Sequence, residues 1–250
     1  MRKIGYLFLL LFAGTMSAKA QETKKEPRYS MNLSLNQDAF FGFYPSVNAA
    51  VSLSDKTDLT FYSIIWTTPS FGTGGGSGLW TEFGAGFNFK AADGALVISP
   101  SLGILNGKLL SAGEFSMPFE GIVPSLTSNL STKWLEGQFY LGYYAATRKG
   151  QVKAGNAYTD AAVQNNFLHY WINGGVKTGG PISLGLHFEH LRSNPSAGNS
   201  SDVYQWFGPY IQFTSPKGHG LRFTSGADIT KRTPATEQKG FYKLTTFFNF

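Results

Sequence analysis

The chain has 250 residues, of which 30 are Gly and 22 Phe; 16% are aromatic, 14% charged, and Cys is absent. Soluble domains carry about 25% charged residues and ~7% Gly, so the balance points away from both an ordinary soluble domain and a disordered chain. The missing cysteines exclude a disulfide scaffold, a Cys-zinc site and thiol chemistry, and a mean hydropathy of −0.13 is too low for a bundle of membrane helices.

Residues 1–20 read as a secretory signal. Arg2 and Lys3 precede an apolar run over 4–13, and Ala18-Lys19-Ala20 offers an A-x-A cleavage site before Gln21. The run is too short to cross ~30 Å of hydrocarbon as a helix. Cleavage after Ala20 removes Arg2, Lys3 and Lys19 and no acid, so the net charge falls from +6 to +3. That residual charge is a poor argument for nucleic-acid binding, and none is expected. A short lead follows over 21–28.

From there on the hydrophobic pattern has period 2, which places alternate residues on opposite faces of a strand. Twelve strands are expected, over 29–36, 43–53, 58–67, 79–90, 95–105, 119–130, 134–146, 166–177, 182–192, 203–214, 220–229 and 240–250. Most are ten to twelve residues long, close to the ~9–11 that carry a tilted strand across a bilayer. The faces of the third and sixth are ambiguous, so ten or fourteen strands stay open. The intervening segments alternate between long loops (37–42, 68–78, 106–118, 147–165, 193–202, 230–239) and tight turns (54–57, 91–94, 131–133, 178–181, 215–219). This sorting is what a membrane barrel requires, with turns on the periplasmic side and loops outside. Backbone groups in lipid demand closure.

The last stretch alternates most cleanly, with Tyr242, Leu244, Thr246, Phe248 and Phe250 on one face against Phe241, Lys243, Thr245, Phe247 and Asn249. With the signal segment and the closing Phe, this chain resembles bacterial outer-membrane β-barrels of the small porin-like kind, closest to families of unassigned activity. The resemblance implies an all-β fold, a single antiparallel transmembrane barrel over 29–250 in the outer membrane of a Gram-negative cell. It also implies that Tyr242, Leu244, Phe248 and Phe250 form the signal read by the barrel-assembly machinery.

Pro45, Pro100, Pro124 and Pro209 fall inside these strands, all on the lipid face by parity, and each removes a ladder hydrogen bond. Bulges are expected there.

The opposite faces carry the charge, because a charge on the lipid face at mid-membrane costs ~2–4 kcal/mol. Candidates for a solute path are Glu136, Tyr140, His169, Trp171, His187, Glu189, Trp206, Tyr210, Arg222 and Lys243, with Tyr62, Glu82, Tyr144, Tyr204 and Asp228 on the same faces. Trp66 and Trp80 also fall on these inward faces, but they and Trp134 lie near strand ends and suit an interfacial girdle or rim better. Trp and Tyr offer flat faces to sugars, nucleosides or aromatic solutes.

Catalytic chemistry is poorly supplied. Two residues beyond His169, His187, His190 and His219 stand Trp171, Glu189, Arg192 and Leu221, so the His-x-Ser pair of outer-membrane lipid-modifying enzymes is missing. No His-Asp neighbours of the omptin-like kind stand in the sequence. His187 and Glu189 share a face, but two ligands do not make a metal site, and neither metal nor cofactor is expected. Gly72–Gly78 lacks the ending of a phosphate loop and reads as a flexible external segment. Leu109, Leu110 and Phe115 are apolar for a solvated loop and suit folding into or over the mouth. Arg148, Lys149, Lys153, Lys231, Arg232 and Lys239 suit either contact with lipopolysaccharide phosphates or plain solvation.

The function expected is a passive porin-like channel for small solutes. The opposing class is a structural or adhesive barrel with a plugged lumen and working loops, and the last is a lipid-modifying enzyme.

Overall fold

The computed structural model describes residues 28–66, 80–231 and 239–250. The signal segment, nearly all of the lead, the glycine run 72–78 and Arg232 lie outside the described residues. Twelve strands close into one antiparallel barrel: β1 (Tyr29–Asp38), β2 (Gly42–Ser54), β3 (Thr57–Trp66), β4 (Trp80–Ala91), β5 (Leu96–Gly107), β6 (Met117–Ser131), β7 (Leu135–Ala146), β10 (Phe167–Lys177), β11 (Ile182–Ser193), β12 (Ser201–Thr214), β13 (Gly220–Asp228) and β14 (Gly240–Asn249). Between β7 and β10, β8 (Gln151–Ala154) and β9 (Ala157–Asp160) form a separate hairpin. Each wall strand pairs with its neighbour along the chain, and β1 pairs with β14 from Asn32↔Asn249 to Asp38↔Lys243, leaving no open edge.

The wall is built inside out relative to a soluble protein. Leu53, Phe83, Leu102, Ile172, Leu184, Leu186, Phe207 and Ile211 are exposed on the outer surface, a contiguous apolar band far beyond what a soluble monomer presents. Glu82, Glu189, His169 and His187 are buried inside. Lipid therefore stands where solvent would, and the architecture is that of an outer-membrane barrel. The ambiguous strands resolve: Phe61 and Ile65 of β3 face outward with Ile122, Pro124 and Leu126 of β6.

Two expectations are corrected here. The four prolines do face lipid, but none sits at a bulge. Among the described residues the register shifts lie at Ser52/Ser54, Leu105/Gly107 and Leu191/Arg192. Pro100, Pro124 and Pro209 pair with Leu126, Leu102 and Leu186 on one side. On the other side the ladder lapses at the proline and resumes in the same register, as between Phe207↔Ala227 and Tyr210↔Thr224. An antiparallel residue sends both backbone groups to one neighbour, so a missing N–H interrupts only that ladder. The second correction concerns the first long loop. β1 runs to Asp38, which leaves a three-residue turn, 39–41, whose Phe40 and Phe41 amides donate to Asp38 Oδ1 at 2.9 and 2.6 Å.

The outer mouth is covered by two connections that lock together. The segment after β5 folds inward, where Glu120, itself fully buried, accepts the amides of Leu109, Leu110 and Ser111 at 3.0, 2.9 and 3.0 Å. Leu110 then packs with Leu105, Val123 and Tyr144 in a closed apolar cluster. The connection from β7 to β10 lies against it, through Gly150 N to Ser111 O (2.8 Å), Asn165 N to Leu110 O (2.8 Å) and Glu114 N to Gln151 O (2.9 Å). Gly113 and Gly150 meet backbone to backbone, where any side chain would collide. Leu109 and Leu110 thus enter the mouth as their apolarity implied. Phe115 does not: it is exposed and rests 5.2 Å from the Tyr158 ring on the β8–β9 hairpin.

Candidate functional site

All ten candidate lumen residues point inward, and the fold gathers them into clusters. The first is centred on Glu189 of β11, which is wholly buried. His169 Nε2 lies 2.9 Å from Glu189 Oε1 and His187 Nε2 3.0 Å from Oε2, and the Tyr204 hydroxyl donates to Oε1 at 2.7 Å. The Lys243 ammonium of β14 ion-pairs with Oε2. Both carboxylate oxygens are satisfied and the charge is balanced, the condition under which a buried carboxylate persists. The same lysine stands 5.6 and 5.9 Å over the Trp171 and Trp206 rings. Trp206 is sandwiched between Tyr204 (4.0 Å) and Phe241 (4.8 Å).

The second cluster is centred on Glu136 of β7. Its carboxylate accepts from Tyr210 Oη (2.9 Å), Gln212 Nε2 (3.0 Å) and Ser183 Oγ (3.2 Å), with Arg222 at 3.5 Å. Arg222 also donates to Gln212 and lies 4.4 Å over the Tyr210 ring. This bridge crosses β10 and β11, which is possible because Gly175 and Gly185 occupy the inward positions beneath it. A Cβ at Gly185 would come within 2.5 Å of the Tyr210 ring. On the third wall, Tyr62 donates to buried Glu82 at 2.8 Å. Tyr140 stacks on Trp171 at 4.0 Å, and the Trp171 indole donates to Gln138 at 2.7 Å.

The acids Asp38, Asp58, Glu82, Glu136 and Glu189 therefore occupy β1, β3, β4, β7 and β11, while the cations Lys90, Arg222 and Lys243 occupy β4, β13 and β14. Toward the tight-turn end the interior changes character: Asn32, Ser34, Asn36, Asn88, Ser99, Thr127 and Thr245 are only half-buried. Toward the loop end aromatics close it. Trp66 and Trp80, inward by parity but expected at a girdle or rim, stack on each other (5.6 Å, 20°) inside the mouth, with Tyr44 on Trp66 at 4.7 Å and Phe41 at 4.6 Å. Strand-end position suggested an interface, whereas strand parity, which turns both rings inward, decides. Trp134 alone is exposed at a periplasmic turn, as a rim residue.

Sequence neighbours gave no His-Asp pair, but the wall makes one. His190 of β11, on the outer face, lies 2.9 Å from Asp202 of β12 through Nε2 and 3.0 Å from the Tyr170 hydroxyl through Nδ1. Both ring nitrogens are engaged, in a pair that lies on the outer face of the wall. Among the described residues no three His, Asp or Glu side chains are arranged to hold a metal ion; beside His187 and Glu189 the positive charge is the Lys243 ammonium.

Asp38, Phe41, Tyr44 and Glu120 were missed. Asp38 and Phe41 fall in the first loop that the sequence predicts, and Tyr44 at the foot of a strand. Glu120 follows Phe119, whose backbone is left-handed (φ 54°), so alternation gives no direction for it.

The family model of unknown function designated DUF6733 matches residues 1–250. The chain belongs to that family. No curated protein matches it in sequence. Among solved structures, DUF6733 here is similar to the COG4313 outer membrane channel from Pseudomonas putida F1 (TM-score 0.52, 9% identity, covering 94% of this chain and 99% of that one). It also matches the KdgM porin (0.46, 12%, 88% and 99%) and the channel DcaP of Acinetobacter baumannii (0.46, 14%, 92% and 78%). At 9% identity the likeness to the COG4313 channel bears on the fold alone of this DUF6733 member.

Proposed function

We propose that this DUF6733 barrel is a narrow channel for small solutes, held closed at its outer mouth in the conformation described. The observation that carries this reading is the charged and aromatic lining of the interior. Glu82, Glu136, Glu189, Arg222 and Lys243, with Asp38 on β1 and the Asp58–Lys90 pair on β3 and β4, line the wall, with aromatic faces between them and a half-exposed polar interior below. Charged groups along a narrow passage orient a polar solute, and flat rings give its apolar face a surface to slide on. The complete hydrogen bonding of Glu189 favours a second reading, a plugged structural barrel whose loops do the work.

Single-channel recording of the refolded protein in a planar bilayer separates them, with Trp206→Ala alongside. Current steps altered by the substitution support the channel, and a silent bilayer holding folded barrel supports the plug. The reading carries further proposals: export with cleavage after Ala20, insertion by the barrel-assembly machinery, and contact of Arg148, Lys149 and Lys153 with lipopolysaccharide phosphates. Salt-dependent lipid co-purification tests the last of these.

A further inference from the structure

About eight strands make a barrel whose interior side chains alone can fill, and a wall of twelve encloses more. Here the extra space lies toward the tight-turn end. Asn48 stands in the middle of β2 with its side chain inward, opposite Asn32 on one side and Tyr62 on the other, and yet it is exposed. A mid-strand residue is exposed inside a barrel only where the lumen is hollow at its level. The inward residues around it are short or half-buried, among them Asn36, Ser46 and Thr60.

Two places on this lower wall set an aromatic ring beside an accessible carboxamide. Tyr62 lies flat over Gly84 and Gly103, where an added Cβ would come within 2.2 Å of its ring and 2.4 Å of its hydroxyl, and Asn48 is its direct neighbour across the β2–β3 ladder. On the other side Trp171 stacks on Tyr140 at 4.0 Å and donates to Gln138 Oε1 at 2.7 Å, while Gln138 Nε2 donates to Asn129 Oδ1 at 2.9 Å. Gln138 keeps a second N–H, and Asn129 is exposed with its amino group open. Asn48 and Gln138 stand five strands apart in a ring of twelve, on nearly opposite walls. Strands disfavour Asn, so these amides are not there for propensity. The charges nearby are paired, Asp58 with Lys90 at 2.7 Å and Glu136 with Arg222 at 3.5 Å. The lining therefore offers hydrogen bonds and flat rings rather than net charge.

We propose that this lower chamber is a binding site for a neutral saccharide, entered from the tight-turn end. Carboxamides donate and accept alike, as sugar hydroxyls do, so Asn48, Gln138 and Asn129 can pair with them in either sense. The C–H face of the sugar ring packs on Tyr62 or Trp171. A sugar with a net charge gives up its hydration here and gains no counter-charge for it. That this ligand is also the transported solute rests on the channel reading; the binding itself does not.

The test is an NMR titration of protein labelled with ¹⁵N at Trp and Asn, folded in micelles of a detergent without a sugar headgroup. The probes are cellobiose, the galacturonate dimer as its anionic counterpart, the glucosamine dimer as its cationic one, and triethylene glycol, which has no ring face. Trp171→Phe and Asn48→Ala assign the two reporting signals, and circular dichroism verifies that each variant keeps its β-structure. Cellobiose is expected to shift the Trp171 indole and Asn48 carboxamide saturably, at least fivefold more tightly than the other three probes. Asn48→Ala, read at the indole, and Gln138→Ala are each expected to weaken it several-fold. Equal or tighter binding of a charged dimer or of triethylene glycol, shifts that do not saturate, or unchanged binding in both alanine variants overturns the proposal. Nothing in this titration depends on ion flow. A silent bilayer with intact cellobiose binding therefore overturns the channel reading alone, and current steps without binding overturn the chamber alone.

Discussion

Lys243 of β14 and Glu189 of β11 form an ion pair inside the barrel although β12 and β13 separate their strands along the wall. Glu189 is wholly buried, so its charge depends on that lysine together with His169, His187 and Tyr204. Removing one partner of a buried pair leaves an uncompensated charge and costs about 3–5 kcal/mol. Lys243→Met is expected to lower unfolding stability in lipid by that order, and Lys243→Met with Glu189→Leu to recover most of it. In a conducting barrel the single substitution also leaves the passage more negative, so its reversal potential in a salt gradient moves toward cation selectivity. A double variant no more stable than the single one would refute the coupling.

The covering loop hangs on Glu120. Its carboxylate is the shared acceptor for three consecutive amides, each bond to a charged group contributing about 1.5–3 kcal/mol where it is fully formed. Glu120→Ala should free the segment between β5 and β6 while leaving the wall intact, because the ladders below it do not involve that side chain. Limited proteolysis reads the change: cleavage after Lys108 is slow in the parent and is expected to quicken at least tenfold, while the β-structure signal is unchanged. Equal cleavage in both proteins would show that the contacts to the neighbouring connection, not Glu120, hold the loop.

Glycines on the inner wall make room for tyrosines that lie flat on it. Gly185→Ala sets a methyl against the Tyr210 ring and drives its hydroxyl away from Glu136. Overpacking of this kind costs about 1–3 kcal/mol. Gly174, one residue from Gly175 on the opposite face of β10, has nothing within 4 Å of an added Cβ, so Gly174→Ala should stay within about 0.5 kcal/mol of the parent. Urea unfolding of the two variants beside Tyr210→Phe separates crowding from loss of the hydroxyl bond. Two alanine variants of equal stability would contradict the argument.

The wall of this protein is legible in the sequence because a bilayer imposes one rule on every strand. Apolar and polar residues must alternate, so period and loop length together gave the strand number and the inward face of Glu136, Glu189, Arg222 and Lys243. What those groups touch was not legible. Glu136 meets Gln212 and Lys243 meets Glu189 from positions 76 and 54 residues away, and such meetings are set by barrel radius and strand stagger, which no local pattern encodes. The closed mouth was hidden for a different reason. Trp66 and Trp80 sit where a girdle residue would also sit, and Glu120 follows a left-handed residue beside a register shift, where alternation breaks down.

Phe250 separates two roles that the last strand plays at once. Its backbone exchanges two hydrogen bonds with Met31, Phe250 N to Met31 O at 2.8 Å and Met31 N to Phe250 O at 3.1 Å, which extend the seam between β14 and β1. Its ring lies exposed on the lipid side, in line with Tyr242 and Leu244. Phe250→Gln keeps the backbone bonds and removes only the ring. If the strand is read as an assembly signal, this variant refolds in vitro nearly as well as the parent but inserts poorly in cells. Deleting Phe250 removes the seam bonds as well, at about 0.5–1.5 kcal/mol each, and should also weaken the refolded barrel. The comparison to make is the membrane-inserted fraction in cells against the refolding yield in vitro, for both variants. Phe250→Gln inserting at the parental level in cells would leave the seam as the only role of this residue.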